Sequence, residues 1–238
     1  MDVKTPVPVI ALDVPDAEAA LALLERLGPE ADFVKVGLQL FTAEGPAMVR
    51  ALRSRGIRVF LDLKLHDIPN TVAHAVKSAI GLDVELLTVH ASGGAAMLRA
   101  AAGAAAGSPL KLLAVTVLTS LDDAGLAQAW GRDAVVTEDE VARLAALAKA
   151  CGIPGVVASV HELAAVRRAA GGEMLALTPG IRLAGDAAGD QSRVATPAQA
   201  ARLGADYVVL GRSVTAAADP RAALARATAE LSPGRPGG

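Results

Sequence analysis

The segment Asp62-Leu63-Lys64-Leu65-His66-Asp67 sets carboxylates around an ammonium at intervals that suit proton transfer to carbon. On an extended strand Asp62 and Lys64 share one face, with Cα atoms roughly 6–7 Å apart. Asp67 comes after the strand should have ended, where the chain can turn back. Asp13 closes the run Val7–Asp13, and Lys35 lies within Phe33-Val34-Lys35-Val36-Gly37. A lysine fixed between carboxylates stays protonated and can deliver a proton to a developing carbanion. A carboxylate held where a substrate's own carboxylate must sit would disfavour the bound ground state. A salt-bridge network serving stability alone is the competing reading, and for a single Asp–Lys pair it is the better one. The convergence of Asp13, Lys35, Asp62, Lys64 and Asp67 on one rim weighs against it, because desolvating each ion costs several kcal/mol.

Two later segments point to a phosphate. Thr178-Pro179-Gly180-Ile181-Arg182 and Gly211-Arg212-Ser213 each combine a glycine, which lets the backbone approach an oxyanion, with a fork-shaped arginine donor. Each arginine alone reads as a surface charge; their joint placement after successive strands reads as an anion site. Between them Leu183–Arg193, with Asp190-Gln191, has the composition of a lid, or of an ordinary surface loop.

These residues need a frame that brings strand ends together. Short apolar runs alternate with amphipathic stretches at Val7–Asp13, Phe33–Gly37, Arg58–Lys64, Glu85–His90, Leu112–Leu118, Gly155–Ser159, Met174–Thr178 and Tyr207–Gly211. A spacing of about 30 residues is one strand plus one crossover helix. Eight such units in 238 residues predict a single (β/α)₈ barrel of the TIM type spanning 1–238, with a frayed tail over about 232–238. In Phe60-Leu61-Asp62-Leu63-Lys64 strict alternation points Phe60, Asp62 and Lys64 into the barrel and the leucines toward the helices. Thr137 with Glu140, Ser159 with Glu162, and Thr196 with Gln199 behind Pro197 have the spacing of helix capping boxes, and Gly28-Pro29 ends the first helix. A doubly wound open sheet is disfavoured, since no G-x-G-x-x-G follows the first strand.

Composition narrows the function. Aromatics are 2% and hydrophobic residues 53%, so the core is built from Ala, Leu and Val, and base-stacking platforms are not expected. Net charge of −2 leaves no electrostatic footprint for nucleic acid or an anionic membrane. Cys151 is the single cysteine, so no disulfide is expected, and the scattered histidines have no metal-ligand spacing. The start, Met1 to Pro8, lacks a secretory pattern, and no apolar run approaches the roughly 20 residues of a membrane span. A cytoplasmic location is the expectation.

Asp62-Leu63-Lys64-Leu65-His66-Asp67-Ile68-Pro69-Asn70-Thr71 closely resembles the signature of the orotidine 5′-phosphate decarboxylase family, which makes UMP in the last step of pyrimidine nucleotide synthesis. Ala11-Leu12-Asp13, Lys35-Val36-Gly37, Val89-His90-Ala91, Leu118-Thr119-Ser120, Gly189-Asp190-Gln191 and both phosphate segments extend the likeness over nearly the whole chain. The resemblance implies a metal-free, cofactor-free decarboxylation of orotidine 5′-phosphate to UMP and CO₂. It implies that Lys64 protonates C6, that Asp62 lies beside the departing carboxylate, and that Lys35 and Asp67 complete the charged network. Asp13 and Lys35 would meet the ribose, and Thr119 and Ser159 the pyrimidine. Gln191 would bridge base and phosphate, and Pro179, Arg182, Gly211 and Arg212 would enclose the phosphate. It further implies a homodimer in which Asp67, Ile68 and Thr71 reach the partner's site. Ala158 stands where many relatives have Cys. His90 is expected only to support the network, and His66 is assigned no chemistry. The rivals are a metal-dependent sugar-phosphate lyase, which would need an acidic residue where Lys35 stands, and a silent nucleotide-binding barrel, which would have lost Lys64 or Asp62.

Overall fold

Runs rich in Val, Leu and Ile form eight parallel strands, each followed by helical chain long enough to return to the sheet's starting edge. They are β1 (Val7–Ala11), β2 (Phe33–Gly37), β3 (Arg58–Leu65), β4 (Leu86–His90), β5 (Lys111–Val115), β6 (Gly155–Val157), β7 (Leu175–Ile181) and β8 (Tyr207–Leu210). The helices are α1 (Ala17–Leu27), α2 (Leu38–Arg53), α3 (Pro69–Ile80), α4 (Gly94–Ala105), α5 (Asp123–Trp130), α6 (Thr137–Ala150), α7 (Leu163–Ala170), α8 (Pro197–Arg202), α9 (Arg212–Thr215) and α10 (Pro220–Leu231). This computed structural model describes residues 4–183 and 194–232. The strands pair in sequence order and the sheet closes on itself, β8 meeting β1 from Val7↔Tyr207 to Ile10↔Leu210. The closed (β/α)₈ barrel is therefore as the strand spacing predicts.

Alternation divides the core in two. Val9, Ala11, Phe33, Phe60, Leu86, Leu113, Leu177, Tyr207 and Val209 pack inside the barrel. Their sequence neighbours, among them Ile10, Val34, Leu61, Leu87 and Val208, pack outward against the helices. Phe60 inside and Leu61 outside set the facing of β3, as expected. The amino-terminal end of the barrel is plugged by Arg58, which lies 4.2 Å above the Phe33 ring centroid and pairs with Glu85 at 2.8 and 3.0 Å. Lys111 sits 3.8 Å from the same carboxylate.

Local signals mostly behave as read. Gly28 ends α1 with φ 81°, as read, and Asp16, which the sequence reading did not single out, caps its start by accepting the Ala19 N–H at 2.9 Å. Thr196 and Gln199 form their capping box, with Pro197 in the first turn of α8. The box expected at Thr137 and Glu140 does not form. Val136 is the N-cap, the Thr137 N–H donates to Asp123 Oδ1 at 2.9 Å, and Glu140 pairs with Arg143 and Arg132. A carboxylate from α5 thus takes the Thr137 amide that the Glu140 side chain was expected to cap.

The strand ends also differ. β1 stops at Ala11 and β5 at Val115, leaving Asp13 and Thr119 on the loops beyond. β7 runs on to Ile181, taking in Thr178-Pro179-Gly180 with a register shift against β8. Gly180 adopts φ 76°, and Ala195 pins the extension by donating to Gly180 O at 3.2 Å and accepting the Arg182 N–H at 2.9 Å.

Candidate active site

A cavity of about 520 Å³ opens where the strands end. Its walls include Asp13, Lys35, Asp62 and Lys64, from the loop after β1 and from β2 and β3, and Thr119, Pro179, Gly180, Arg182, Gly211 and Arg212, from around and beyond the ends of β5, β7 and β8. Position along the barrel explains this convergence: apolar residues such as Phe60 and Leu86 fill the middle of the interior, and the charged side chains of β2 and β3 follow toward the carboxyl end.

The charged residues form a chain of contacts. Lys64 Nζ donates to both oxygens of Asp62, at 2.9 and 2.8 Å. Lys35 Nζ stands 3.9 Å from Asp62 Oδ2 and donates to Asp13 Oδ1 at 2.7 Å. The Lys35 and Asp62 side chains are 10% and 12% exposed, so each ion has given up most of its water and depends on its partners. Gly37 leaves the space this needs. A Cβ there would lie 2.8 Å from Lys35 Nζ and 3.1 Å from Asp13 Oδ1, so any side chain would push the pair aside.

Lys64 itself is held in an unusual backbone state. From Leu61 to Leu65 β3 advances four residues, where β4 advances two from Leu87 to Val89. Lys64 takes up part of this excess with φ 50°, a left-handed conformation that costs a non-glycine residue about 1–2 kcal/mol. Its N–H donates to Thr88 Oγ1 at 2.8 Å, and the same hydroxyl donates to Asp62 Oδ1 at 2.9 Å. The sequence reading missed Thr88. Its signal was a hydroxyl within the otherwise apolar Leu86-Leu87-Thr88-Val89, at a position that proves fully buried.

Two histidines adjoin this group. The His66 and His90 rings stack with centroids 5.3 Å apart and planes 30° apart. Burial holds the His90 imidazole below its ordinary pKa, with His66 and Lys64 adding to the effect and Asp62 opposing it. His90 Nδ1 lies 3.5 Å from Ser92 Oγ, at the outer limit of a hydrogen bond.

Not every expected residue joins the cavity within one chain. Asp67, Ile68 and Thr71 are exposed, Ile68 at 67%, and Asp67 Oδ1 accepts the Ile68 N–H at 2.6 Å. Ser159 is buried and works as a cap: its Oγ accepts the His161 N–H at 3.4 Å, and its own N–H donates to Glu162 Oε2 at 2.9 Å. Its near neighbour Val157 lines the cavity. Gln191 lies outside the described residues, as do most of the expected lid and the terminal tail beyond residue 232. Gly211 is the N-cap of the short helix α9, which begins at Arg212.

The chain is similar to known proteins over nearly its whole length. Residues 6–227 match the family model described as Orotidine 5′-phosphate decarboxylase / HUMPS family. The chain is 52% identical over 230 residues to an orotidine 5′-phosphate decarboxylase of Moorella thermoacetica, covering 94% of this chain and 91% of that one. It is 54% identical over 223 residues to a protein of the same name from Anaeromyxobacter sp. strain K, covering 92% and 95%. The crystal structure of orotidine 5′-phosphate decarboxylase from Lactobacillus acidophilus superposes with a TM-score of 0.84 at 37% identity, over 97% of this chain and 100% of that chain.

Proposed function

The chain belongs to the orotidine 5′-phosphate decarboxylase / HUMPS family, and from that premise we propose that it converts orotidine 5′-phosphate to UMP and CO₂. The observation that carries the mechanism is the Lys64 ammonium held against both oxygens of Asp62 in the cavity wall. The bond from C6 to the carboxyl carbon breaks, and its electron pair remains on C6. Lys64 transfers a proton to that carbon and regains one from water. Asp62 lies beside the departing carboxylate, where its negative charge disfavours the bound substrate relative to a transition state that is shedding CO₂.

The other walls take the rest of the nucleotide. Asp13 and Lys35 bind the ribose hydroxyls, with Thr119 and the Ser159 segment beside the pyrimidine. Pro179, Arg182, Gly211 and Arg212 enclose the phosphate, and Gln191 bridges it to the base. Binding energy from the remote phosphate orients C6 toward Lys64. The active form is a cytoplasmic homodimer in which Asp67, Ile68 and Thr71 complete the partner's site. The exposure of all three on one loop and the first turn of α3 supports this reading. Among the described residues no helix is long and apolar enough to cross a membrane.

Chemistry through a divalent metal is disfavoured by Lys35, whose buried ammonium stands 3.9 Å from Asp62 and would repel a cation there. The test is loss of orotate ultraviolet absorbance when EDTA-treated protein meets orotidine 5′-phosphate. Rapid loss yielding UMP and CO₂ is the expected result. Loss only after Mg²⁺ is added would overturn the metal-free mechanism, and no loss with UMP still bound would leave a silent barrel.

A further inference from the structure

We propose that Thr88 is a positioning residue for the decarboxylation, a single buried hydroxyl that holds Lys64 and Asp62 in mutual register. The inference rests on the roles proposed above for those two residues and extends them to a third that is not among the residues lining the cavity.

The excess length of β3 over β4 creates the need. Where the ladder is interrupted between Leu61 and Leu65, the Lys64 N–H loses its place in the regular strand pairing, and the residue turns left-handed. A buried amide left without an acceptor is strongly disfavoured. Thr88 sits on β4 between Leu87 and Val89, the residues that pair on either side of the interruption, and its side chain faces the barrel interior by alternation. Its Oγ1 accepts the Lys64 N–H at 2.8 Å and donates its proton to Asp62 Oδ1 at 2.9 Å.

A hydroxyl has one proton to give, and here it goes to Asp62. That leaves its lone pairs for the amide, so both capacities act at once, one on the Lys64 backbone and one on the Asp62 carboxylate. Oδ1 of Asp62 then receives Thr88 from one direction and Lys64 Nζ, at 2.9 Å, from another. The carboxylate plane is thereby set, and with it the line along which the ammonium must lie. Full burial of Thr88 keeps water from replacing it. A misplacement of about 1 Å at a reacting group is enough to cost on the order of 10²-fold in rate.

Thr88→Val keeps the shape and removes the hydroxyl, and Thr88→Ser keeps the hydroxyl and removes a methyl. In Thr88→Val, kcat is expected to fall about 10- to 100-fold, while UMP affinity stays within about three-fold. Thr88→Ser should recover kcat to within about five-fold of the parent, less any cost of the small void. Exchange of the Lys64 amide, followed by NMR, should quicken at least about ten-fold in Thr88→Val and not in Thr88→Ser. Parental kcat in Thr88→Val, or equal losses in the Val and Ser variants, would overturn the proposal. If Thr88→Val does not fold, Thr88→Ala with the same readouts takes its place. An inactive parent protein would refute the proposed reaction instead, and the amide exchange would still decide whether Thr88 holds Lys64.

Discussion

Lys64→Ala removes the ammonium that bridges both oxygens of Asp62 and tests the proposed chemistry most directly. General acids contribute about 10²–10⁴-fold to rate, or about 3–5 kcal/mol, so turnover should fall by at least that factor. The structure adds a second, independent expectation for binding. Within one chain Asp13 and Asp62 are formally balanced by Lys35 and Lys64, and in the proposed dimer the partner's Asp67 adds a further −1; removing Lys64 makes the site one unit more negative in either case. An incoming substrate carboxylate about 5 Å away would meet roughly 3 kcal/mol of repulsion at an effective dielectric of about 20. The Lys64 side chain is 31% exposed, so solvent screening reduces this to about 1–2 kcal/mol, or about 5- to 30-fold in affinity. UMP lacks that carboxylate and should lose much less. Isothermal titration of the variant with orotidine 5′-phosphate and with UMP, beside the orotate absorbance assay, measures both effects. Turnover within ten-fold of the parent would remove Lys64 as the proton donor, and equal affinity losses for the two nucleotides would refute the charge balance.

Arg182→Ala and Arg212→Ala should each weaken UMP binding by about 10- to 150-fold, the worth of a charge-assisted hydrogen bond, and leave uridine binding unchanged in titration. At the barrel floor, the hydrogen bond from Arg58 holds the Glu85 carboxyl below its ordinary pKa, with burial opposing. Its stabilisation is therefore complete above the unfolded value of about 4.3 and fades as pH falls through the lower folded value. Glu85→Gln should accordingly lower Tm at pH 7 by about 2–4 °C, with parental kcat, and the gap in Tm between the two proteins should narrow and close as pH falls through that lower folded value. Ile68→Asp should shift sedimentation toward monomer and lower activity with it; an unchanged dimer at full activity would refute the shared site.

Much of the barrel was legible because its causes are local. Apolar runs at the spacing of one strand and one helix require parallel pairing, and right-handed crossovers allow few other closures. The facing of Phe60 and Leu61, the Thr196–Gln199 box and the cap at Gly28 follow from alternation and turn chemistry within a few residues. The approach of Asp13, Lys35, Asp62 and Lys64 was legible for the same reason, since inward positions at the ends of neighbouring strands must meet.

What the sequence did not disclose depends on the pairing of segments far apart in the chain. Thr137 had the spacing of a capping residue, yet Asp123, from a different helix, meets its amide. Gly37 reads as a common strand end until Lys35 and Asp13 occupy the space its side chain would need. Alternation correctly pointed Lys64 inward, but the left-handed turn that presents it arises from a mismatch in length between β3 and β4, which neither strand carries alone. Residue types and spacing determined which groups could do the chemistry. Tertiary structure decided how Lys64 and Asp62 are aimed, because a hydrogen bond from a neighbouring strand acts on geometry that no single stretch of chain encodes.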